Sequence, residues 1–268
     1  PFLCTIVTFT AQLRRDKEIL KTLVAGNKTF VFYLPLPFIF VCVSSIKLPT
    51  SLIMKELHIL EQLIFSILTP NIAKTLEKRP NFDIQRQTSG SEGHFTAALE
   101  LMDNTPTFIF HEYAPMRAIS ECRDKYAKIV YDSRGDSKDI YAVVLFYQGE
   151  LFFFVENASF KMTTDDLHIL LNNAYPGENS LTSWVPLCLP GRESMFHILA
   201  QTVPDPYNFA MVIITDRIEG DSQASAMSDT IHHLFQSQNL PIPDQIEPFP
   251  HPDVFHFIVA HHKLKQVY

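Results

Sequence analysis

The hydrophobic residues of this chain fall into short runs separated by turn-forming residues, and the most regular stretch spans residues 140–236. Two apolar runs, Ile140–Tyr147 and Leu151–Val155, flank Gln148-Gly149-Glu150, which is typical of a β-hairpin. The elements predicted after the hairpin are a helix at 167–174, strands at 184–189, 195–203 and 209–215, and a helix bearing Met227, Ile231, Leu234 and Phe235. The predicted order is ββαβββα. Both faces of its strands are apolar, so we expect helices on both sides of the sheet.

The N-terminal part of the chain repeats most of this order. Its pattern predicts a helix at 3–13, strands at 19–24, 29–34 and 38–44, and a helix whose apolar stripe is Ile53, Leu57, Leu60, Ile64 and Leu68. Residues 29–46 carry no charge and reach the minimum length of a membrane-spanning helix. Pro35 and Pro37 near the middle of this stretch favour two strands over such a helix.

Composition narrows the class of protein. The 268 residues are 46% hydrophobic, which suits one large or two ordinary globular domains. The net charge is −7 and the basic residues form no cluster, so a nucleic-acid partner is not expected. The four cysteines stand at 4, 42, 122 and 188, outside any zinc or CxxC spacing. They indicate reduced cysteines in a cytosolic protein.

The chain carries several candidate chemical motifs, and each has a plainer interpretation. Gly191-Arg192-Glu193-Ser194-Met195 lacks the second glycine of a nucleophile elbow, and no phosphate-binding glycine motif occurs. Asp165-Asp166 suits a helix cap better than an acid–base pair. The histidines at 251, 256, 261 and 262 suit a solvated set better than a metal site. We predict no catalytic residue, cofactor or metal, and keep a small-molecule hydrolase as the alternative class.

Several stretches resemble the SAND family of vacuolar fusion proteins, the Mon half of the Mon–Ccz complex. They are LKTLVAGNKTFVF at 20–32 with PFIFVCVSS at 37–45, LHILEQLIFSILT at 57–69, and DDLHILL at 165–171 with WVPLCLP at 184–190. The resemblance extends over most of the chain in the same order. It implies tandem longin domains, each an α/β unit with an antiparallel five-stranded sheet and helices on both faces.

The resemblance also implies a division of the chain. Residues 1–79 correspond to the C-terminal part of a first longin domain, residues 80–138 to a helical connector, residues 139–240 to a second domain, and residues 253–268 to the start of a third. The first and third domains are expected to be incomplete. We expect residues 136–239 to fold alone as a monomer with one melting transition, and the whole chain to associate unless a partner covers its edges.

The function implied by the resemblance is non-covalent. Family members pair with a Ccz-type longin subunit and act as a guanine-nucleotide exchange factor for a late-endosomal Rab GTPase. The expected location is cytoplasmic and peripheral, on phosphoinositide-containing membranes of late endosomes, vacuoles or lysosomes. The alternative is another longin-type trafficking scaffold without exchange activity, such as a Hermansky–Pudlak or Fuzzy-like subunit or a vesicle adaptor.

One helix face is the candidate binding site. In the predicted helix at 3–13, Thr5, Thr8 and Gln12 lie opposite the apolar residues Ile6, Phe9 and Leu13. In the longin fold this helix crosses the sheet, so its polar face is available to a partner. The alternative is an ordinary solvated face.

Overall fold

The structure is a computed structural model, and it describes residues 5, 20–35, 37–69, 71–79, 81–104, 116, 120–174, 182–203, 209–238, 240, 260–261 and 266–267. Among these residues, no helix is both long and apolar enough to span a membrane. The uncharged stretch at 29–46 forms two strands, as its prolines predict.

The elements follow the predicted order with small shifts at their ends. The strands are β1 (Thr22–Ala25), β2 (Lys28–Tyr33), β3 (Phe40–Ser44), β4 (Ile140–Tyr147), β5 (Glu150–Glu156), β6 (Thr182–Cys188), β7 (Met195–Val203), β8 (Phe209–Thr215), β9 (Ala260–His261) and β10 (Gln266–Val267). The helices are α1 (Thr50–Leu68), α2 (Ile72–Lys78), α3 (Ile84–Thr88), α4 (Glu92–Asn104), α5 (Ser120–Arg134), α6 (Thr164–Asn173) and α7 (Asp221–Ser237), with a 3-10 turn at Ile218–Gly220.

The larger sheet contains five described strands in the spatial order β5-β4-β8-β7-β6, all antiparallel. The hairpin between β4 and β5 closes through Gln148 and Gly149, which both have positive φ (50° and 84°), as a two-residue turn requires. From β4 to α7 the order is ββαβββα, so the predicted order is confirmed. With helices on both faces of an antiparallel sheet, the expected α/β longin-type architecture is confirmed.

The larger sheet separates two cores. On one face, residues such as Val144, Ile198 and Val212 pack with α6 and with side chains of α1 and α4. On the other face, residues such as Leu145 and Ile213 pack with α5 and α7. This second core has an aromatic centre, because the Tyr126 ring lies 4.7–5.5 Å from the rings of Phe152, Phe209 and Phe235.

The position of α5 changes the meaning of the predicted connector. Residues 80–138 are largely helical where they are described. However, Tyr126, Ile129 and Val130 of α5 are buried in the core beneath the larger sheet. The segment therefore supplies part of the second unit's core, although the division of the chain into domains stays a prediction.

The polar segment at 86–93, whose serines and glycines are typical of a linker, instead joins two helices. Helix α3 ends at Thr88 and α4 begins at Glu92. The Asp83 side chain caps α3 by accepting a hydrogen bond from the Arg86 amide at 3.0 Å. The Glu92 carboxylate accepts one from the Gly90 amide at 2.8 Å. These side-chain bonds turn a polar segment into two helix ends, and only a short turn separates them.

The smaller sheet has three described strands in the order β1-β2-β3, again antiparallel. Helix α1 covers the face that carries Val31, with Ile53 and Leu57 in contact. The same helix sends Ile59 and Leu63 into the core of the larger sheet. One helix thus packs between the two sheets, because its apolar residues occupy more than one stripe.

The C-terminal residues are sparsely described. Strands β9 and β10 pair in antiparallel register, with Gln266 opposite His261. The expected start of a third domain at 253–268 lies outside the described residues except for Ala260, His261, Gln266 and Val267. Of the four histidines of the predicted solvated set, only His261 lies within the described part of the chain.

Candidate functional site

The three predicted binding residues are only partly described. Thr5 is exposed and helical, and it takes part in an interaction of its own. Thr8 and Gln12 lie outside the described residues. The partner-binding face of this helix therefore stays a prediction, and the site is built below from the elements of the smaller sheet.

Among the described strands, β3 is an outer strand of the smaller sheet. In the larger sheet, β8 lies between β7 and β4, whereas β3, its counterpart in the order βββα, pairs with β2 alone among the described strands. All seven residues of β8 are buried, but Val43 of β3 is 48% exposed. Val43 lies in line with Phe30 and Leu23 across the sheet, and Leu23 is also exposed.

The exposed apolar residues concentrate around this sheet. Among the described residues, the exposed large hydrophobic side chains are Leu23, Val24, Val43, Ile46, Leu48, Leu99, Tyr131, Met195 and Ile218. Five of these nine lie between residues 23 and 48. Single exposed apolar residues are ordinary on protein surfaces, so the informative feature is that more than half of them lie on one three-stranded sheet and its loops.

A polar cluster lies between α1 and the face of the smaller sheet that α1 covers. The Tyr33 hydroxyl of β2 donates a hydrogen bond to the Glu61 carboxylate of α1. His58 Nδ1 lies 3.1 Å from both the Tyr33 hydroxyl and Glu61 Oε2. Burial, together with the hydrogen bond to Glu61 and its charge, raises the pKa of Tyr33 well above its ordinary value. The cluster fixes α1 on β2 through neutral and charged hydrogen bonds.

This cluster borders a cavity of about 330 Å³ between the two units. Its walls come from α1 (Glu61, Phe65 and Ser66), from Ala73 of α2, and from the turn after β6 (residues 188–193). The volume would hold a small ligand. The Glu61 side chain in this wall already makes hydrogen bonds with Tyr33 and His58. We therefore interpret the cavity as part of the contact between α1 and the larger sheet.

The side chain of Arg192 connects the turn after β6 to the N-terminus of α6. Arg192 Nη2 lies 2.9 Å from the buried Asp166 Oδ2 and 2.6 Å from the Lys161 carbonyl oxygen, and its guanidinium lies 4.1 Å from the centre of the Phe160 ring. Asp166 also completes a capping box with Thr163. The capping interpretation is therefore confirmed for Asp166, because its Oδ2 accepts hydrogen bonds from the Thr163 amide and from Arg192.

The remaining motifs take structural positions. Ser194 is exposed on the turn between β6 and β7. The single tryptophan, Trp184, stacks on His197 with ring centres 5.5 Å apart and packs against the α5-side core. Within the described ranges, no group of three or more His, Cys, Asp or Glu side chains is placed to hold a metal ion.

Sequence reasoning missed the cluster of Tyr33, His58 and Glu61. His58 and Glu61 are three residues apart on one helix, which is a detectable local signal. Tyr33 comes from a strand 25 residues away from His58, so only the fold brings it into contact. The grouping of exposed apolar residues was also invisible, because it depends on which strands lack a neighbour.

Comparison with known proteins assigns the relatives of this chain. Residues 1–97 match the family model described as "First Longin domain of FUZ, MON1 and HPS1". Vacuolar fusion protein MON1 homolog A of Homo sapiens is 23% identical over 218 residues, which is 79% of this chain and 33% of that protein. The MON1 homolog of Oryza sativa is 22% identical over 81% of this chain and 38% of its own length.

A fungal relative gives the same result. Vacuolar fusion protein MON1 of Cryptococcus neoformans is 23% identical over 178 residues, which is 65% of this chain and 29% of that protein. The chain thus spans about a third of the length of the curated relatives it matches. Relatives from an animal, a plant and a fungus agree with the longin family match at residues 1–97 and with the observed fold, so the chain is similar to MON1 proteins over most of its length.

Proposed function

We propose that this chain belongs to one subunit of a guanine-nucleotide exchange complex for a late-endosomal or vacuolar Rab GTPase. The subunit acts in vesicle-mediated transport, endosome maturation and fusion with the vacuole or lysosome. Of these roles, vacuolar fusion is the one that the names of its relatives carry. Its partner is a Ccz-type longin subunit, and the complex works peripherally on phosphoinositide-containing membranes. Because the chain spans about a third of each relative, the activity is proposed for the intact protein.

The observation that carries this proposal is the group of exposed apolar residues on the smaller sheet and its loops, in a chain similar to MON1 proteins over most of its length. Leu23 and Val43 lie in line on one face of this sheet and offer apolar contact area to a protein partner. Exchange of a bound nucleotide requires contact that distorts the GTPase, with no covalent step, so a contact surface is sufficient chemistry.

Nucleotide release tests the proposal directly. The intact protein and its Ccz-type partner are added to Rab GTPases loaded with a fluorescent GDP, and release is followed with excess GTP. We expect accelerated release from one or a few Rabs. Val43→Asp places a charge on the apolar face of the smaller sheet and should abolish partner binding and exchange together. Ile218→Asp, at an exposed apolar residue of the larger unit, is the matched control and should retain both.

Two results would contradict the proposal. One is the absence of accelerated release from every Rab tested with a stable complex. The other is equal activity of the wild-type chain and the Val43→Asp variant. The predicted face of the first helix is tested in the same assay, where Thr8→Arg combined with Gln12→Glu should weaken partner binding or release.

A second candidate is a longin-type scaffold without exchange activity. The matching family model covers FUZ and HPS1 as well as MON1, so the longin match alone fits all three. This candidate predicts a stable complex with the partner, sensitivity to Val43→Asp, and no acceleration of nucleotide release from any Rab.

A further inference from the structure

Two loops of the smaller sheet meet at one end of it. The turn between β1 and β2 follows the pair Ala25 and Lys28, and the loop after β3 follows the pair Thr29 and Ser44. Both loops therefore leave the sheet on the same side. We call Val24, Lys28, Ile46, Lys47 and Leu48 the basic tip.

The apolar residues of the basic tip are unusually accessible. Val24 is 68% exposed, Ile46 is 67% exposed and Leu48 is 40% exposed. The loop that carries Ile46 is closed by its own hydrogen bonds. The Ser44 hydroxyl donates to the Ile46 carbonyl at 2.9 Å and accepts from the Ile46 amide at 3.1 Å, and the Leu48 amide donates to the Ile46 carbonyl at 2.9 Å. The amide and carbonyl of Ile46 are thus hydrogen-bonded while its sec-butyl side chain faces solvent.

The charge of this region opposes that of the whole chain. Residues 20–55 contain four lysines, at 21, 28, 47 and 55, and no aspartate or glutamate, although the chain has a net charge of −7. Lys28 and Lys47 are exposed and lie beside the apolar residues of the basic tip. A segment with a charge of +4 therefore stands out from an acidic protein.

Exposed aliphatic side chains beside lysines fit one kind of surface particularly well. Aliphatic groups enter the boundary between headgroups and acyl chains, while lysines lie among anionic headgroups. We propose that the basic tip is a contact for an anionic lipid bilayer. The basic tip has only three exposed aliphatic residues and two exposed lysines. We therefore expect a membrane contact that is shallow, reversible and sensitive to salt.

The proposal gives the membrane contact of the proposed function a location. It places the end of the smaller sheet that carries the basic tip against the bilayer. The face of that sheet that carries Leu23 and Val43 stays accessible to a protein partner. Binding to vesicles is measured without a GTPase or a Ccz-type partner, so failure of the basic tip and failure of the exchange function give different results.

Vesicle sedimentation tests the basic tip on the full chain. Vesicles of phosphatidylcholine alone are compared with vesicles that also contain phosphatidylserine, at low and at physiological salt. We expect binding only to the anionic vesicles, weakened by salt. Lys28→Glu combined with Lys47→Glu should weaken this binding at least about tenfold, since each lysine near an anionic surface contributes on the order of 1 kcal/mol.

Matched controls separate the basic tip from overall charge. Lys125→Glu with Lys138→Glu makes the same change in net charge at exposed positions of the other unit and should leave binding unchanged. Ile46→Ser should weaken binding to anionic vesicles several-fold, whereas Ile218→Ser should not.

Three outcomes overturn the proposal. Equal losses in the tip and control pairs would mean that only net charge matters. Equal binding to neutral vesicles would exclude an anionic bilayer as the occupant. Vesicle binding that survives the tip substitutions, with loss of a protein partner instead, would make the tip a protein contact.

Discussion

Strands β8 and β3 occupy the same place in two units of one chain, yet their surroundings differ. β8 lies in the middle of its sheet, with every residue buried between two neighbouring strands and two helical layers. β3 pairs with β2 alone among the described strands, and most of its residues are only partly buried. Both strands are apolar in sequence. An apolar sequence therefore shows that a strand can be buried, but the neighbouring strands and helices determine whether it is.

The helices that follow these strands differ in a related way. α7 packs on its own sheet and against α5, and its buried residues lie on one stripe. α1 packs on its own sheet through Ile53 and Leu57 and on the larger sheet through Ile59 and Leu63. The smaller sheet is therefore stabilised by its neighbour. The comparison indicates that the first unit depends on contacts with the second unit.

The largest expected effect comes from the core beneath the larger sheet. Tyr126→Ala removes a fully buried ring that contacts three other aromatic rings. We expect the free energy of unfolding to fall by about 3–5 kcal/mol. Tyr131→Ala on the same helix, where the ring is exposed, should change it by less than about 0.5 kcal/mol. Urea denaturation followed by circular dichroism measures both, and equal small effects would place α5 outside the core.

The same contacts revise the expectation for residues 136–239. A fragment with those ends lacks α5 and leaves Phe152, Phe209 and Phe235 without the ring of Tyr126. We now expect it to associate in sedimentation experiments. A fragment beginning at Met116 should be more soluble, because the Met116 amide donates to the Leu151 carbonyl at 2.7 Å and so covers part of the β5 edge.

A matched pair of substitutions compares the equivalent strands directly. Ile213→Ala in β8 removes fully buried methyl groups and should cost about 2–5 kcal/mol. Val43→Ala in β3 should cost less than about 0.5 kcal/mol in the isolated chain, because that side chain is half exposed. Repeating the denaturation with a Ccz-type partner sharpens the comparison. A cost for Val43→Ala that appears only in the complex would show that the partner covers β3.

The sequence predicted these strands well for reasons that are local. β7 and β8 have the bounds expected from their apolar runs, and the Thr163–Asp166 capping box forms as its spacing indicates. The errors concern features set by distant contacts. The burial of α5 depends on aromatic residues far along the chain, and the polar cluster depends on Tyr33 meeting α1. Periodicity finds an apolar face but does not say which sheet will cover it.

The two faces of α1 can be separated by a second pair of substitutions. Leu57→Ala removes a contact with the smaller sheet, and Leu63→Ala removes one with the larger sheet. Each should cost about 2–3 kcal/mol, at the low end for a buried leucine, because α1 lies between the units and can shift. The single tryptophan, Trp184 on β6, reports on the larger unit. Unfolding followed by this fluorescence should shift to lower denaturant more with Leu63→Ala than with Leu57→Ala, whereas identical shifts would mean that α1 does not distinguish the two sheets.

The smallest expected effect concerns the charge on α1. Burial, and then the negative charge of Asp103 on α4, raises the pKa of Glu56 above its ordinary value. The folded chain therefore holds a proton more strongly than the unfolded chain, so this group's contribution to stability is lost as pH rises through the folded pKa. At neutral pH, Glu56→Gln should raise the free energy of unfolding by less than about 0.5 kcal/mol, because Glu56 is partly exposed. The melting temperature should rise slightly as a result. Below about pH 4, where the carboxyl is protonated in both states, the gain should vanish.

The exposed Glu121 on α5 provides the control, since Glu121→Gln should leave the melting temperature unchanged at either pH. A loss of stability at neutral pH on Glu56→Gln would mean that the carboxylate has a favourable partner, and that α1 and α4 attract rather than repel each other at this contact.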